Sequence, residues 1–127
     1  MSKNETWRTR KYWESVGGLL VEEFVAVNPG KNQGKRSFDG VIVLEEESKI
    51  FDGNFFNVEG KDIIVIQTKS SRLSMSLLGQ AFFSRSIMEK HKPKSIKTIA
   101  ICGKSDDILF ELAEKENIEV IEIKDKL

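Results

Sequence analysis

The 127-residue sequence predicts a single α/β domain, a mixed central sheet flanked by helices. Three observations carry that expectation. Five short runs are rich in β-branched and aromatic residues, the composition of strands. The runs in the second half alternate with helical segments, as parallel crossovers require. The run Ile63 to Lys69 (IIVIQTK) is apolar on both faces of its first half, which places it in the middle of a sheet.

The elements follow in order. Glu5 to Val16 reads as a helix, with Asn4 as its cap and Gly17-Gly18 as its stop. Leu19 to Val27 (LLVEEFVAV) reads as a strand interrupted by Glu22 and Glu23, which lie on opposite faces. Pro29 to Ser37 is a polar loop, and Phe38 to Leu44 (FDGVIVL) is the second strand. Residues 45–61 carry two turn signals, Asp52-Gly53 and Glu59-Gly60, around short Phe-rich pieces. Ile63 to Lys69 is the third strand. Ser74 to about His91 is the longest helix, and on it Leu77, Ala81, Phe83, Ile87 and Met88 share an apolar arc that also holds Gln80 and Ser84. Ile96 to Cys102 is the fourth strand, Ser105 caps a third helix ended by Asn117, and Ile118 to Ile123 is the fifth strand. The expected order is α-β-β-β-α-β-α-β, with the first three strands antiparallel.

Composition narrows the function classes. The apolar fraction of 39% is that of a globular chain and argues against disorder. No run approaches the roughly 20 apolar residues of a membrane span, and the polar N-terminus has no signal-peptide core. One cysteine can form neither an internal disulfide nor a multi-cysteine zinc site, so a soluble cytoplasmic protein is expected. The net charge of zero hides a block structure. Residues 67–104 hold eight basic side chains and one acidic one, whereas residues 105–127 hold three basic and eight acidic. Such a basic block suits a phosphate-rich partner, although it equally suits a solvated helix face.

The residues that carry chemistry are Asp39, Gln67 and Lys69. Strand residues two apart share a face, so Gln67 and Lys69 project together. A lysine closing a central strand must be paired or functional if it is buried. Asp39 opens the preceding strand, and a single hairpin folded at Gly53 sets it opposite Gln67; a turn at Gly60 instead shifts that register but still collects all three residues at one sheet edge. A carboxylate, an amide oxygen and an ammonium at one sheet edge suit Mg²⁺ (or Mn²⁺), with Asp39 and Gln67 as ligands and Lys69 as the charge that orients water or stabilises a phosphorane. The plainer alternative is a turn aspartate and a first exposed lysine.

Ser37-Phe38-Asp39-Gly40 and Ile66-Gln67-Thr68-Lys69-Ser70, set in this element order, resemble the PD-(D/E)XK nuclease superfamily. The Gln-x-Lys variant is similar to Mrr-type restriction enzymes. The resemblance covers about residues 5–102 and leaves 103–127 as an extension. It implies a restriction-endonuclease-like core and Mg²⁺-dependent endonuclease activity on DNA. It also implies roles: Asp39 as metal ligand, Gln67 at the usual acidic position, and Lys69 as catalytic lysine. Such nucleases often add an acid from the first helix, for which Glu14 is the candidate, and can place a polar helix residue near the metal, for which Gln80 is a secondary candidate beside its alternative as a hydrogen-bonded core amide. Phe38 stands where the motif has proline, and the neutral Gln67 weakens the case for a second metal ion. Many small nucleases dimerise, so a homodimer is an open expectation.

Lys31, Lys35 and Arg36 precede Asp39, and Arg72 follows Lys69; Lys35, Arg36 and Arg72 are the candidate phosphate contacts. Other signals fail. Gly103-Lys104-Ser105 resembles a P-loop tail, but the earlier glycine it requires is Thr98. His91 and Cys102 read as structural. Without an acid at Gln67, a non-catalytic nuclease-fold module that binds nucleic acid or a partner protein is the competing reading. A nucleotide-binding α/β domain lacks its glycine fingerprint.

Overall fold

The computed structural model describes residues 1–125 of the chain. A six-stranded mixed sheet is flanked by three helices. The elements are α1 (Lys3–Val16), β1 (Leu19–Val27), β2 (Arg36–Val43), β3 (Lys49–Ile50), β4 (Asp62–Thr68), α2 (Met75–Glu89), β5 (Ser95–Cys102), α3 (Asp107–Lys115) and β6 (Ile118–Glu122). The order across the sheet is β3-β1-β2-β4-β5-β6. β4 lies inside the sheet, as its two-sided apolar pattern predicts, between antiparallel β2 and parallel β5.

Local chemistry explains the boundaries. Ser2, not Asn4, caps α1: its hydroxyl accepts from the Glu5 N–H and donates to the Glu5 carboxylate. The Ser-x-x-Glu spacing is a helix-start signal legible in the sequence, although here the glutamate accepts from the serine hydroxyl and not from its backbone N–H. Gly17 ends the helix with φ 81. Asp106 rather than Ser105 caps α3, since its carboxylate accepts from the Leu109 N–H. Ser74 caps α2 through the Leu77 N–H.

One expected connection differs. β2 and β4 pair in the predicted register, running from Val43↔Ile63 to Gly40↔Ile66, so the next positions outward are Asp39 and Gln67. The link between them is not a single hairpin, however. It crosses to the far edge of β1, where β3 pairs parallel through Leu19↔Lys49 and Leu20↔Ile50. Two residues carry no readable periodicity, so this strand was invisible to pattern.

Three apolar clusters hold the layers together. Tyr12 and Trp13 of α1 pack on Leu20, Ile42, Ile64, Ile66, Ile99 and Ile101, one face of the sheet. α2 covers the other face through Met88 against Val41 and Val65, and through Leu77 and Ala81 against Ala100 and Cys102. α3 joins that side through Ala113. Cys102 is buried, in line with a packing role. Residues 103–122 are integral to the sheet, because β6 pairs with β5 along five positions.

Two further contacts position the site. Gly40 lets α1 approach β2, since a Cβ there would lie 3.1 Å from Thr9 Cγ2 and 3.2 Å from Leu20 Cδ1. Arg8 of α1 is 0% exposed. Its Nε donates to the Ile123 carbonyl and its Nη1 to the Asn4 carbonyl, while Nη2 pairs with Asp125 and the guanidinium lies over the Trp7 ring. No helix among the described residues is long and apolar enough to cross a membrane.

Candidate active site

The ends of β2 and β4 and one side of α2 enclose a cavity of 570 Å³. Asp39, Gln67 and Lys69 line it together, with Lys35 and Arg36 on the β2 side and Ser76, Gln80, Phe83 and Ile87 on the α2 side. The alternation of β4 puts Gln67 and Lys69 on one face, and the β2–β4 register brings Asp39 across to them.

Asp39 is the most perturbed group there. Its carboxyl pKa is pushed up to about 6 from 3.8, chiefly by burial. The Thr68 N–H donates to its Oδ2 at 2.7 Å and pulls the other way, as does the Lys69 ammonium, while the charges of Glu5 and Glu23 push it further up. A half-buried carboxylate with two acidic neighbours is a place where a cation lowers the free energy.

Gln67 is 6% exposed, and among the described residues its carboxamide makes no hydrogen bond. Among the described residues no buried side-chain polar atom lacks a partner, so the amide atoms must open onto the cavity rather than lie sealed in the core. Lys69 is half-buried, and none of Lys35, Arg36 and Lys69 takes part in a salt bridge among the described residues. The chain matches no protein-family model, no curated protein and no solved structure. What the site can do therefore rests on its chemistry.

The structure separates the other candidates. Glu14 is exposed and lies outside the cavity. Thr9 marks the face of α1 turned to the sheet, where its hydroxyl pairs with that of Thr68 at 2.8 Å. Glu5 lies one turn before Thr9, whereas Glu14 falls about 140° round the helix by its 3.6-residue period. Glu5 is thus the first-helix acid whose charge reaches Asp39. Of the β1 pair, Glu22 is held by Arg10 at 2.8 Å, and Glu23 lies between the Glu22↔Gly40 and Phe24↔Phe38 pairs, across from Asp39. Its backbone is left-handed (φ 51), a strained state for a non-glycine residue. The Met1 amino group sits 2.9 Å from Glu23 Oε1, within the same negative field.

Arg72 does not join Lys35 and Arg36. It lines a separate cleft with Ser70, Ser71, Gly103, Lys104 and Lys124, and Lys31 is an exposed loop residue outside the cavity. Gln80 is exposed on the cavity wall, so it is not a core amide. Phe83, expected in the core, is 63% exposed on the same wall. His91 is structural: its Nε2 lies 2.8 Å from the Ala26 carbonyl and its ring packs on Phe24 and Phe55.

The electrostatics give a first expected result. Glu23→Gln removes a charge that raises the Asp39 pKa, so an NMR titration of the Asp39 carboxyl should show a downward shift. Glu14→Gln should leave that titration unmoved; an equal shift in both variants would contradict the placement of these two acids.

Proposed function

We propose that the chain is a metal-dependent nuclease that hydrolyses DNA phosphodiester bonds at the Asp39–Gln67–Lys69 cavity, on a restriction-endonuclease-like core. One observation carries the reading: a carboxylate, the unpartnered carboxamide of Gln67 and an unpaired ammonium open onto one cavity, with Lys35 and Arg36 beside them. Among the described residues no three His, Cys, Asp or Glu side chains are grouped to hold a metal. The donor set therefore does not suit a protein-enclosed ion. It suits Mg²⁺, which keeps several waters and takes few protein oxygens. Asp39, through its Oδ1, and the Gln67 carbonyl would hold it, and the bound ion would supply Lewis-acid stabilisation of the phosphate and a more acidic water.

The protein's own groups divide the remaining work. Asp39 must be ionised, which its pKa near 6 permits at neutral pH. The Thr68 N–H fixes the carboxylate's orientation through Oδ2. Lys69 holds a positive charge where the phosphate becomes more negative as the water oxygen forms its bond to phosphorus. The bond from phosphorus to the sugar oxygen breaks, the attacking water gives a proton to solvent, and the leaving sugar oxygen takes one from solvent water. Lys35 and Arg36 neutralise flanking phosphates.

The neutral Gln67 and the lack of a carboxylate triad favour a second reading, a nuclease-fold module that binds nucleic acid without cutting it. Incubating supercoiled plasmid with Mg²⁺ or Mn²⁺ separates the two. Metal-dependent nicking that falls by about 10²–10³-fold in Lys69→Ala, the usual loss for one transition-state charge partner, supports catalysis. Salt-dependent binding with no nicking by wild type leaves only the module.

A further inference from the structure

We infer that the cavity takes an unpaired nucleotide, with its base stacked on Phe83 and its phosphates on Lys35, Arg36 and Lys69, so that single-stranded DNA is the favoured substrate class. This rests on the nuclease reading of the same cavity and says what kind of DNA enters it.

The argument starts on α2. Leu77, Ala81, Ser84 and Met88 are its buried residues. Ser76, Gly79, Gln80, Phe83 and Ile87 flank that stripe and form the cavity wall. Phe83 is 63% exposed, and its ring meets Phe82 edge-on with centroids 5.3 Å apart. That contact holds the ring from one side and leaves much of it open. An exposed aromatic beside a polar site gains most from a flat partner that can stack on it, and every base has a π-face.

Charge selects the partner. Across the cavity stand Lys35 and Arg36, with Lys69 at the end of β4, and no carboxylate forms a salt bridge with any of them among the described residues. An aromatic wall facing unpaired cations matches a ligand that is planar on one side and anionic on the other. Gln80 and Ser76, on the same wall as Phe83, offer donors and acceptors to a base edge. In duplex DNA the bases are stacked and paired, so a base must leave the stack to reach Phe83, at a cost that an unpaired strand does not bear.

The test measures binding in EDTA by fluorescence anisotropy, using a labelled oligothymidylate and a labelled duplex of equal length. Phe83→Ala should weaken single-strand binding by about 10- to 100-fold, the range for loss of one base–aromatic stack, and leave duplex binding nearly unchanged. Phe83→Trp should retain single-strand affinity. Ile108→Ala should change neither, because that side chain is exposed on α3 and does not line the cavity. A 2-aminopurine probe in the strand should be quenched by wild type and not by Phe83→Ala. Equal loss on both DNAs, or no loss on either, overturns the inference. The two claims fail separately. Phe83-dependent single-strand binding without metal-dependent cleavage sinks catalysis and keeps the platform. Cleavage that depends on Lys69 but not on Phe83 does the reverse.

Discussion

Asp39→Asn is expected to abolish metal-dependent cleavage, by at least about 10³-fold, and at the same time to raise stability at neutral pH. The activity loss follows from removing the only cavity-lining carboxylate among the described residues. The stability gain follows from its pKa. Because the folded value, about 6, lies above the reference value of 3.8, the folded state binds the proton more tightly. Ionising Asp39 therefore costs stability, and the cost grows as pH rises through that window and is complete above it. Discounted for partial exposure, it is on the order of 2 kcal/mol. The asparagine variant keeps an acceptor for the Thr68 N–H, so at pH 7.5 it should melt roughly 5–8 °C higher than wild type. Below about pH 4 the carboxyl is protonated in both states and the advantage should vanish. Thermal melts across pH read both ends. Adding Mg²⁺ should raise the wild-type melting temperature by mass action and leave the asparagine variant unmoved. A variant less stable than wild type at every pH would mean that Asp39 is a structural acceptor rather than a strained functional carboxylate.

The second large effect lies where the loops after β4 and β5 cross. A Cβ on Gly103 would lie 2.1 Å from the Ser70 carbonyl oxygen, a backbone atom that cannot swing aside. The loops are also tied by hydrogen bonds from the Gly103 N–H to the Ser71 carbonyl and from the Leu73 N–H to the Lys104 carbonyl. Gly103→Ala must break that crossing and move Ser70, the neighbour of Lys69. The expected cost is about 3 kcal/mol or more, at the upper end for overpacking, and chemical denaturation measures it. Gly60→Ala is the control: Gly60 also lacks a side chain, but no atom lies within 4 Å of its would-be Cβ, so only its φ of 72 penalises the change, by roughly 1 kcal/mol. Comparable losses in the two variants would show that crowding at Gly103 is not what holds the loops.

Spacing carried the centre of the site and periodicity misled at its rim. Asp39 and Gln67 are symmetric about Gly53, and antiparallel pairing turns such symmetry into adjacency whatever path the connection takes. The buried stripe of α2 is narrower than the apolar arc its sequence suggests. At about 100° per residue, Leu77, Ala81, Ser84 and Met88 cluster tightly, while Gln80, Ile87 and Phe83 step progressively off that line toward the cavity. An aromatic at the margin of an arc can belong to core or cleft, and sequence alone does not choose. Glu5 was missed because its partner, Asp39, lies 34 residues away across a helix–sheet contact that only the packing of Thr9 on Gly40 and Thr68 reveals. Arg72 is close to Lys69 along the chain, but the turn after Thr68 carries it into the neighbouring cleft.

The guanidinium of Arg8 has a consequence for how the molecule could be cut down. It fastens the opening helix to backbone beyond the final strand, although the two lie 115 positions apart. A version ending at Cys102 would remove the Ile123 carbonyl and the Asp125 carboxylate that hold that cation, together with the β6 strand that pairs with β5. The helix would then lose its tie to the C-terminal backbone, and the same helix carries Glu5, whose charge acts on Asp39, and Thr9, which pairs with Thr68. The tail is a buttress for the helix that carries Glu5 and Thr9.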